Sequence, residues 1–145
     1  MTTERAELNG TDLLKAFVLG GKATFTLENT NTGNHLTFKV SQPKEDAPHF
    51  VKVLTGPNNG ADYAFLGTIF EGKTYRHGNK SPIGRDARSA KTFDWFWKIL
   101  DGGRELPEVV KFYHEGACCR CGRPLTTPES VKLGIGPVCA EKALG

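Results

Sequence analysis

The sequence predicts an α+β fold in which an antiparallel sheet carries two helices and a small cysteine-rich subdomain follows at the C-terminus. Three observations support this class. Short runs of alternating apolar and polar residues recur between about residues 10 and 113, two other segments place apolar residues at helical spacing, and all four cysteines fall within residues 118–145. We therefore predict an α+β body over residues 1–113 and a separate tail over residues 114–145.

The first predicted element is a short helix in LLKAFVLGG, which follows Thr11 and Asp12. Its apolar residues fall on one helical face; they are Leu13, Leu14, Phe17 and Val18. Either Thr11 or Asp12 is expected to cap its N-terminus, and Gly20 with Gly21 is expected to end it.

Six strands are predicted for the body. ATFTLEN and HLTFKV alternate with period two on either side of the turn TNTGN, which indicates a hairpin. The remaining strand-like runs are HFVKVLTG, DYAFLGTIF, KTYRH and, after the second helix, PEVVKFYH. That second helix is predicted around residues 89–100, because Phe93, Phe96, Trp97 and Leu100 recur at i, i+3, i+4 and i+7, with Trp95 off this apolar face.

The cysteines have the spacing of a metal site, His114-x3-Cys118-x2-Cys121-x17-Cys139. A C-x2-C pair followed by glycine is typical of a zinc knuckle, because two thiolates can bind one ion from a tight turn. A closed Zn²⁺ site needs four protein ligands, and either His114 or Cys119 can supply the fourth. We favour His114, because three thiolates within four residues would strain a tetrahedron. The metal is expected to organise the tail, whose core is small.

The tail CCRCGRPLTTPESVKLGIGPVC also resembles a zinc-motif region of the form CxxCGRxLTxPxSxxxGIGPxC. This region is found in an uncharacterised family of largely bacteriophage and actinobacterial proteins. The resemblance covers residues 118–139 and implies that Cys118, Cys121 and Cys139 bind the metal, with Cys119 at a variable position. It also implies a phage-like origin, in which case the protein would act in the host cytoplasm.

A basic segment between residues 73 and 91 has six cations and one acid, a formal charge of +5 within a chain of net charge +3. We predict that it binds nucleic acid as a flexible loop, with Tyr75 and His77 available for stacking on bases. The predicted contacts, including two on the knuckle, are Lys73, Arg76, Lys80, Arg85, Arg88, Lys91, Arg120 and Arg123.

The sequence contains no pattern that indicates an enzyme. It has no nucleophile with a neighbouring base, no phosphate loop and no deaminase signature, and a zinc ion with four protein ligands has no open position for water. We therefore expect a binding protein without catalytic residues, either a nucleic-acid-binding protein or an interaction module that inhibits a host or defence protein. No apolar run reaches the roughly 20 residues that cross a bilayer, so a cytoplasmic location without membrane contact is expected.

Overall fold

The computed structural model describes residues 6–8, 10–44, 46–55 and 62–114, which form seven strands and two helices. In chain order the elements are β1 (Ala6–Leu8), α1 (Thr11–Val18), β2 (Lys22–Asn29), β3 (His35–Ser41), β4 (His49–Leu54), β5 (Tyr63–Phe70), β6 (Thr74–His77), α2 (Arg88–Asp101) and β7 (Val110–His114). The predicted α+β class, both helices and all six predicted strands are confirmed. The cysteine-rich tail lies outside the described residues, so the zinc-knuckle subdomain and the boundary after residue 113 stay predictions.

All strands pair antiparallel in one sheet of order β1-β7-β2-β3-β4-β5-β6. Strands β2 to β6 are neighbours in sequence order, as expected where short turns join consecutive strands. β7 follows α2 and returns to the free side of β2. It is therefore an inner strand, although it is the last described element of the chain.

β1 is the one described element that sequence patterns did not predict. Its backbone pairs with β7, so that Ala6 lies opposite His114 and Leu8 lies opposite Phe112. A strand of three residues is too short to show an alternation that differs from chance. Only the presence of β7 as a partner makes this segment a strand.

The predicted side-chain cap of α1 is wrong. Gly10, with φ of 97°, occupies the N-cap position, and no side chain there accepts a hydrogen bond from the helix. Thr11 is already the first helical residue, and its hydroxyl donates to the carbonyl of Arg104. This bond ties the start of α1 to the chain that leads into β7. The apolar face is as predicted, since Leu14, Phe17 and Val18 are buried.

α2 is the amphipathic helix that the spacing predicted. Four predicted core residues, Phe93, Phe96, Trp97 and Leu100, are buried, whereas Trp95 is 39% exposed. The indole Nε1–H of Trp97 donates to the carbonyl of Lys73 at 2.7 Å, so the helix is also held against the turn between β5 and β6.

Phenylalanine rings join both helices to the same face of the sheet. Phe25 on β2 lies at the centre, with its ring centroid 4.7 Å from that of Phe112 on β7 and 5.6 Å from that of Phe96 on α2. Phe17 on α1 reaches the same cluster through Phe112, at 5.6 Å. Phe38 on β3 packs on Phe93 of α2 at 5.3 Å. Among the described elements, none packs on the opposite side of the sheet, which we call the helix-free face.

A β-bulge interrupts the pairing of β4 with β5. Val51 lies opposite Gly67 and Lys52 lies opposite Phe65, so Leu66 is the extra residue, and its side chain is buried in the core. The neighbouring strand β6 approaches Gly67 closely. A Cβ atom at Gly67 would lie 2.5 Å from the carbonyl oxygen of Arg76 and 2.6 Å from the hydroxyl of Tyr75.

Within the part of the chain that the structure describes, no helix is long and apolar enough to cross a membrane.

Replacing Gly67 with alanine should destabilise the fold by about 1–3 kcal/mol, because the added methyl group must displace backbone or a packed ring. Urea unfolding followed by tryptophan fluorescence measures the change. Gly84→Ala is the matched control, since a Cβ there meets no atom within 4 Å and should change stability by less than about 0.5 kcal/mol. Equal effects of the two substitutions would contradict the close approach of β6.

Candidate functional site

Of the predicted zinc ligands, the structure describes His114. It is the last residue of β7 and is fully buried on the helix side of the sheet, in register with Phe25 of β2. Its imidazole lies against the ring of Phe17, with centroids 6.1 Å apart and an interplanar angle of 29°. The cysteines at positions 118, 119, 121 and 139 lie outside the described residues. Among the residues that are described, no group of three or more His, Cys, Asp or Glu could hold a metal ion.

The surroundings of His114 fit the role of a structural ligand. A ring that is already packed against Phe17 loses little conformational entropy when it binds a metal. β7 ends at His114, and Cys118 follows four residues later in the sequence. Because the segment between them is short, the two side chains stay close enough to bind one ion. A zinc ion bound here would be anchored to the sheet and not to the tail alone.

The basic segment from residue 73 to residue 91 is more ordered than the flexible loop that we predicted. It comprises the turn after β5, strand β6, a connection over residues 78–87 and the first turn of α2. Its six cations are exposed. The connection is held by hydrogen bonds, because Ser81 Oγ donates to the carbonyl of Phe65 and His77 Nε2–H donates to the carbonyl of Ile83 at 2.8 Å.

The prediction that Tyr75 is available to stack on bases is wrong. Its ring packs inward, with its centroid 4.8 Å from that of Phe93 in the core. Burial, and secondarily the Asp94 carboxylate, raises the pKa of the Tyr75 hydroxyl above its usual value, so the group stays neutral. An aromatic residue on a strand can point to either face, and here the pleat of β6 directs it to the core.

Three of the predicted nucleic-acid contacts meet at a cavity of about 590 Å³ between β6 and the start of α2, which we call the edge cavity. Arg76, Arg85 and Lys91 line it together with one acid, Asp94, so cations predominate. Two buried polar atoms also belong to its lining residues, Tyr75 Oη and His77 Nδ1. Neither atom has a hydrogen-bond partner among the described residues.

A second cavity, of about 550 Å³, lies on the other side of the α2 N-terminal half, and we call it the Trp95 groove. One wall consists of α2 side chains, namely Arg88, Lys91, Thr92 and Trp95. The opposite wall comes from the β2–β3 hairpin and from the start of β7, with Leu27, Leu36 and Val110 among its residues. The groove therefore combines an apolar wall and an exposed indole with two cations, Arg88 and Lys91, and one acidic residue, Glu28.

Lys91 lines both cavities, so together they form one surface around the first turns of α2. This surface collects Arg76, Arg85, Arg88 and Lys91. Lys73 and Lys80 are exposed but line neither cavity. Arg120 and Arg123 lie outside the described residues.

The opposite wall of the Trp95 groove is the part of the candidate site that sequence reasoning missed. Leu36 and Val110 are far apart in sequence, and only the pairing of β3 and β7 on either side of β2 brings them to the same groove. Trp95 itself gave a signal, because it lies off the apolar face of its helix.

Comparison with known proteins gives a match, over residues 110–144, to a family of unknown function (DUF6011). No curated protein and no solved structure matches the chain. The family match agrees with the resemblance of the tail to an uncharacterised family, whereas the phage or actinobacterial origin and the zinc motif stay predictions. It begins at Val110, the first residue of β7, and therefore includes a strand of the sheet as well as the tail.

Removing the Tyr75 hydroxyl tests the described packing of this site. Tyr75→Phe should leave the free energy of unfolding unchanged or raise it by about 1 kcal/mol, because the substitution deletes a buried polar atom without a described partner. Thermal and urea unfolding measure this. Thr26→Val is the contrasting control: it removes the 2.7 Å hydrogen bond between Thr26 and Thr37 and should lower stability by about 1–3 kcal/mol. A clear loss of stability in Tyr75→Phe would show that the hydroxyl has a partner.

Proposed function

We propose that this protein binds nucleic acid through the surface around the first turns of α2. The observation that carries the proposal is the position of Lys91 between the two cavities. It joins the cationic edge cavity, with Arg76 and Arg85, to the Trp95 groove, with Arg88 and the exposed indole. Cations that follow one path beside an exposed aromatic ring are the combination that a nucleic-acid strand requires.

The two parts of this surface suit the two parts of a nucleotide. Phosphate groups gain affinity from exposed lysine and arginine side chains, mainly by releasing counterions, and this contribution weakens as salt rises. The Trp95 indole offers a flat apolar face on which a base can stack, a contact worth about 1–3 kcal/mol. Both contacts are largely independent of base sequence, so binding with little sequence preference is expected.

We also propose that the tail holds one structural Zn²⁺, bound by His114, Cys118, Cys121 and Cys139. The support is the spacing of these residues and the buried, packed position of His114. A bound ion would cross-link the tail to the end of β7. Four protein ligands leave no coordination position for water, so the proposed activity is binding without catalysis.

One observation favours the alternative of a protein partner. The Trp95 groove has an apolar wall that includes Leu27, Leu36 and Val110, and exposed tryptophan residues are frequent anchors in protein interfaces. An inhibitor of a host or defence protein could use such a groove. A complex of that kind should be much less sensitive to salt than one formed by phosphate contacts.

Replacing Arg76, Arg85 and Arg88 together with alanine should weaken oligonucleotide binding without unfolding the protein. Fluorescence polarisation at several salt concentrations measures the affinity. The slope of log affinity against log salt should become shallower by about 0.7 for each phosphate group of a single strand that the variant no longer binds. Circular dichroism verifies that the variant is folded.

A control variant, Lys44→Ala with Arg104→Ala, removes two exposed charges outside both cavities and should bind nearly as well as the wild type. Wild-type protein that binds no oligonucleotide even at low salt would refute the nucleic-acid proposal. In that case a pull-down with and without nuclease tests the protein-partner alternative.

Elemental analysis of protein purified without added metal should give about one zinc per chain, as a closed structural site requires. Cys121→Ser should abolish the metal, whereas Cys119→Ser should retain it if His114 is the fourth ligand. Chelation of the wild type should make the tail sensitive to protease while the sheet keeps its circular dichroism. Folded, reduced protein without metal would refute the zinc proposal.

A further inference from the structure

The helix-free face of the sheet has a second set of cations and aromatic rings. In one row across β3, β4 and β5, Lys39 lies opposite Lys52 and Lys52 lies opposite Phe65. The next row on this face runs from Ser41 through Phe50 and Thr68 to Arg76 on β6. The two rows are about 7 Å apart along the strands, the spacing of alternate residues. Each row thus combines an aromatic ring with at least one cation.

The two lysines of the first row are an unfavourable arrangement for an isolated protein. Like charges directly opposite on neighbouring strands destabilise a sheet. Neither Lys39 nor Lys52 forms an ion pair with any residue that the structure describes. Across these described strands, no acidic residue occupies either row. This part of the sheet is therefore complementary to a polyanion.

The aromatic rings of this region are partly exposed and close to the cations. Phe50 and Phe65 have ring centroids 6.5 Å apart, and the ammonium group of Lys39 lies 5.3 Å from the ring centroid of Tyr63. All three rings are half-buried, so each has accessible surface. Aromatic rings on a sheet face that no described helix covers are stacking platforms for unpaired bases, which a duplex does not offer.

The remaining half of the helix-free face differs. Thr26 and Thr37 are buried there and hydrogen-bond to each other, and the charge of Glu28 on β2 lies opposite that of Lys111 on β7. The aromatic rings of the two rows thus lie on β4 and β5, whereas the cations extend from Lys22 on β2, which lies opposite Ser41, to Arg76 on β6. Arg76 belongs to the second row and also lines the edge cavity, because β6 is the outermost strand. It connects this region to the surface around α2.

We infer that an unpaired nucleic-acid strand leaves the edge cavity at Arg76 and crosses the helix-free face, with bases on Phe50 and Phe65 and phosphates at Lys39 and Lys52. The inference rests on the proposed nucleic-acid binding and specifies that the bound nucleic acid is a single strand and not a duplex. The path has two aromatic platforms and two lysines in neighbouring positions, so it accommodates a short run of nucleotides. Its affinity combines stacking with phosphate contacts.

The experiment uses the full-length protein, a fluorescently labelled oligothymidylate of about 12 nucleotides, within the range of strand lengths that such grooves bind, and a labelled duplex of the same length. Lys39→Gln with Lys52→Gln should lower affinity for the single strand about tenfold and make the salt dependence shallower, while thermal stability stays the same or rises.

Phe50→Leu with Phe65→Leu keeps apolar bulk but removes the stacking surface, and should also lower single-strand affinity about tenfold. Lys44→Gln, an exposed lysine in the loop after β3, is the control and should bind as the wild type does.

Unchanged single-strand binding in either double variant, provided that it is folded, overturns the inference. Equal or tighter binding of the duplex by the wild type overturns it as well. If the variant of Arg76, Arg85 and Arg88 loses binding while both sheet variants retain it, nucleic-acid binding stands and the sheet path fails. If the wild type binds neither oligonucleotide at low salt, the proposed function fails together with the inference.

Discussion

The packing of phenylalanine rings between α2 and the central strands is the interaction on which the rest of the structure depends. Phe25 contacts rings from α1, β3, α2 and β7, so a single side chain joins four other elements of the fold. Burial of one such ring is worth several kcal/mol, a large part of the net stability of a domain of this size. Because α1 and α2 both use this cluster, they lie on one face of the sheet, and no helix of the described residues lies on the other.

The same packing determines what α2 presents to a partner. With Phe93, Phe96, Trp97 and Leu100 facing the sheet, the helical period of 3.6 residues turns Arg88, Lys91 and Trp95 toward the flank. These three residues are spaced at i, i+3 and i+7, so they form one stripe along the helix. The packing of α2 in the core thus determines which side chains form the candidate surface, and a regular helix is sufficient to place them there.

Sequence periodicity predicted the elements that a pattern within one segment defines. It did not predict features that depend on contacts between distant segments. The hairpin of β2 and β3 and the buried stripe of α2 follow from alternation and helical spacing within single segments. β1 needs β7 as a partner, Thr11 makes its hydrogen bond to a residue 93 positions away, and the inward direction of Tyr75 depends on the pleat of an edge strand. The proximity of Lys39 to Lys52 likewise depends on register, which an isolated strand does not specify.

β7 connects the proposed zinc site with the proposed binding surface. Its first residue, Val110, lines the Trp95 groove, and its last residue, His114, is the described candidate ligand. The two residues are about 13 Å apart along the strand, which is the rise of four residues. β7 is also an inner strand, paired on both sides, so a tail bound to its end would restrain a backbone that belongs to the groove. Metal binding in the tail would therefore change the affinity for nucleic acid by restraining the backbone of β7, even if the zinc ligands do not contact the bound nucleic acid.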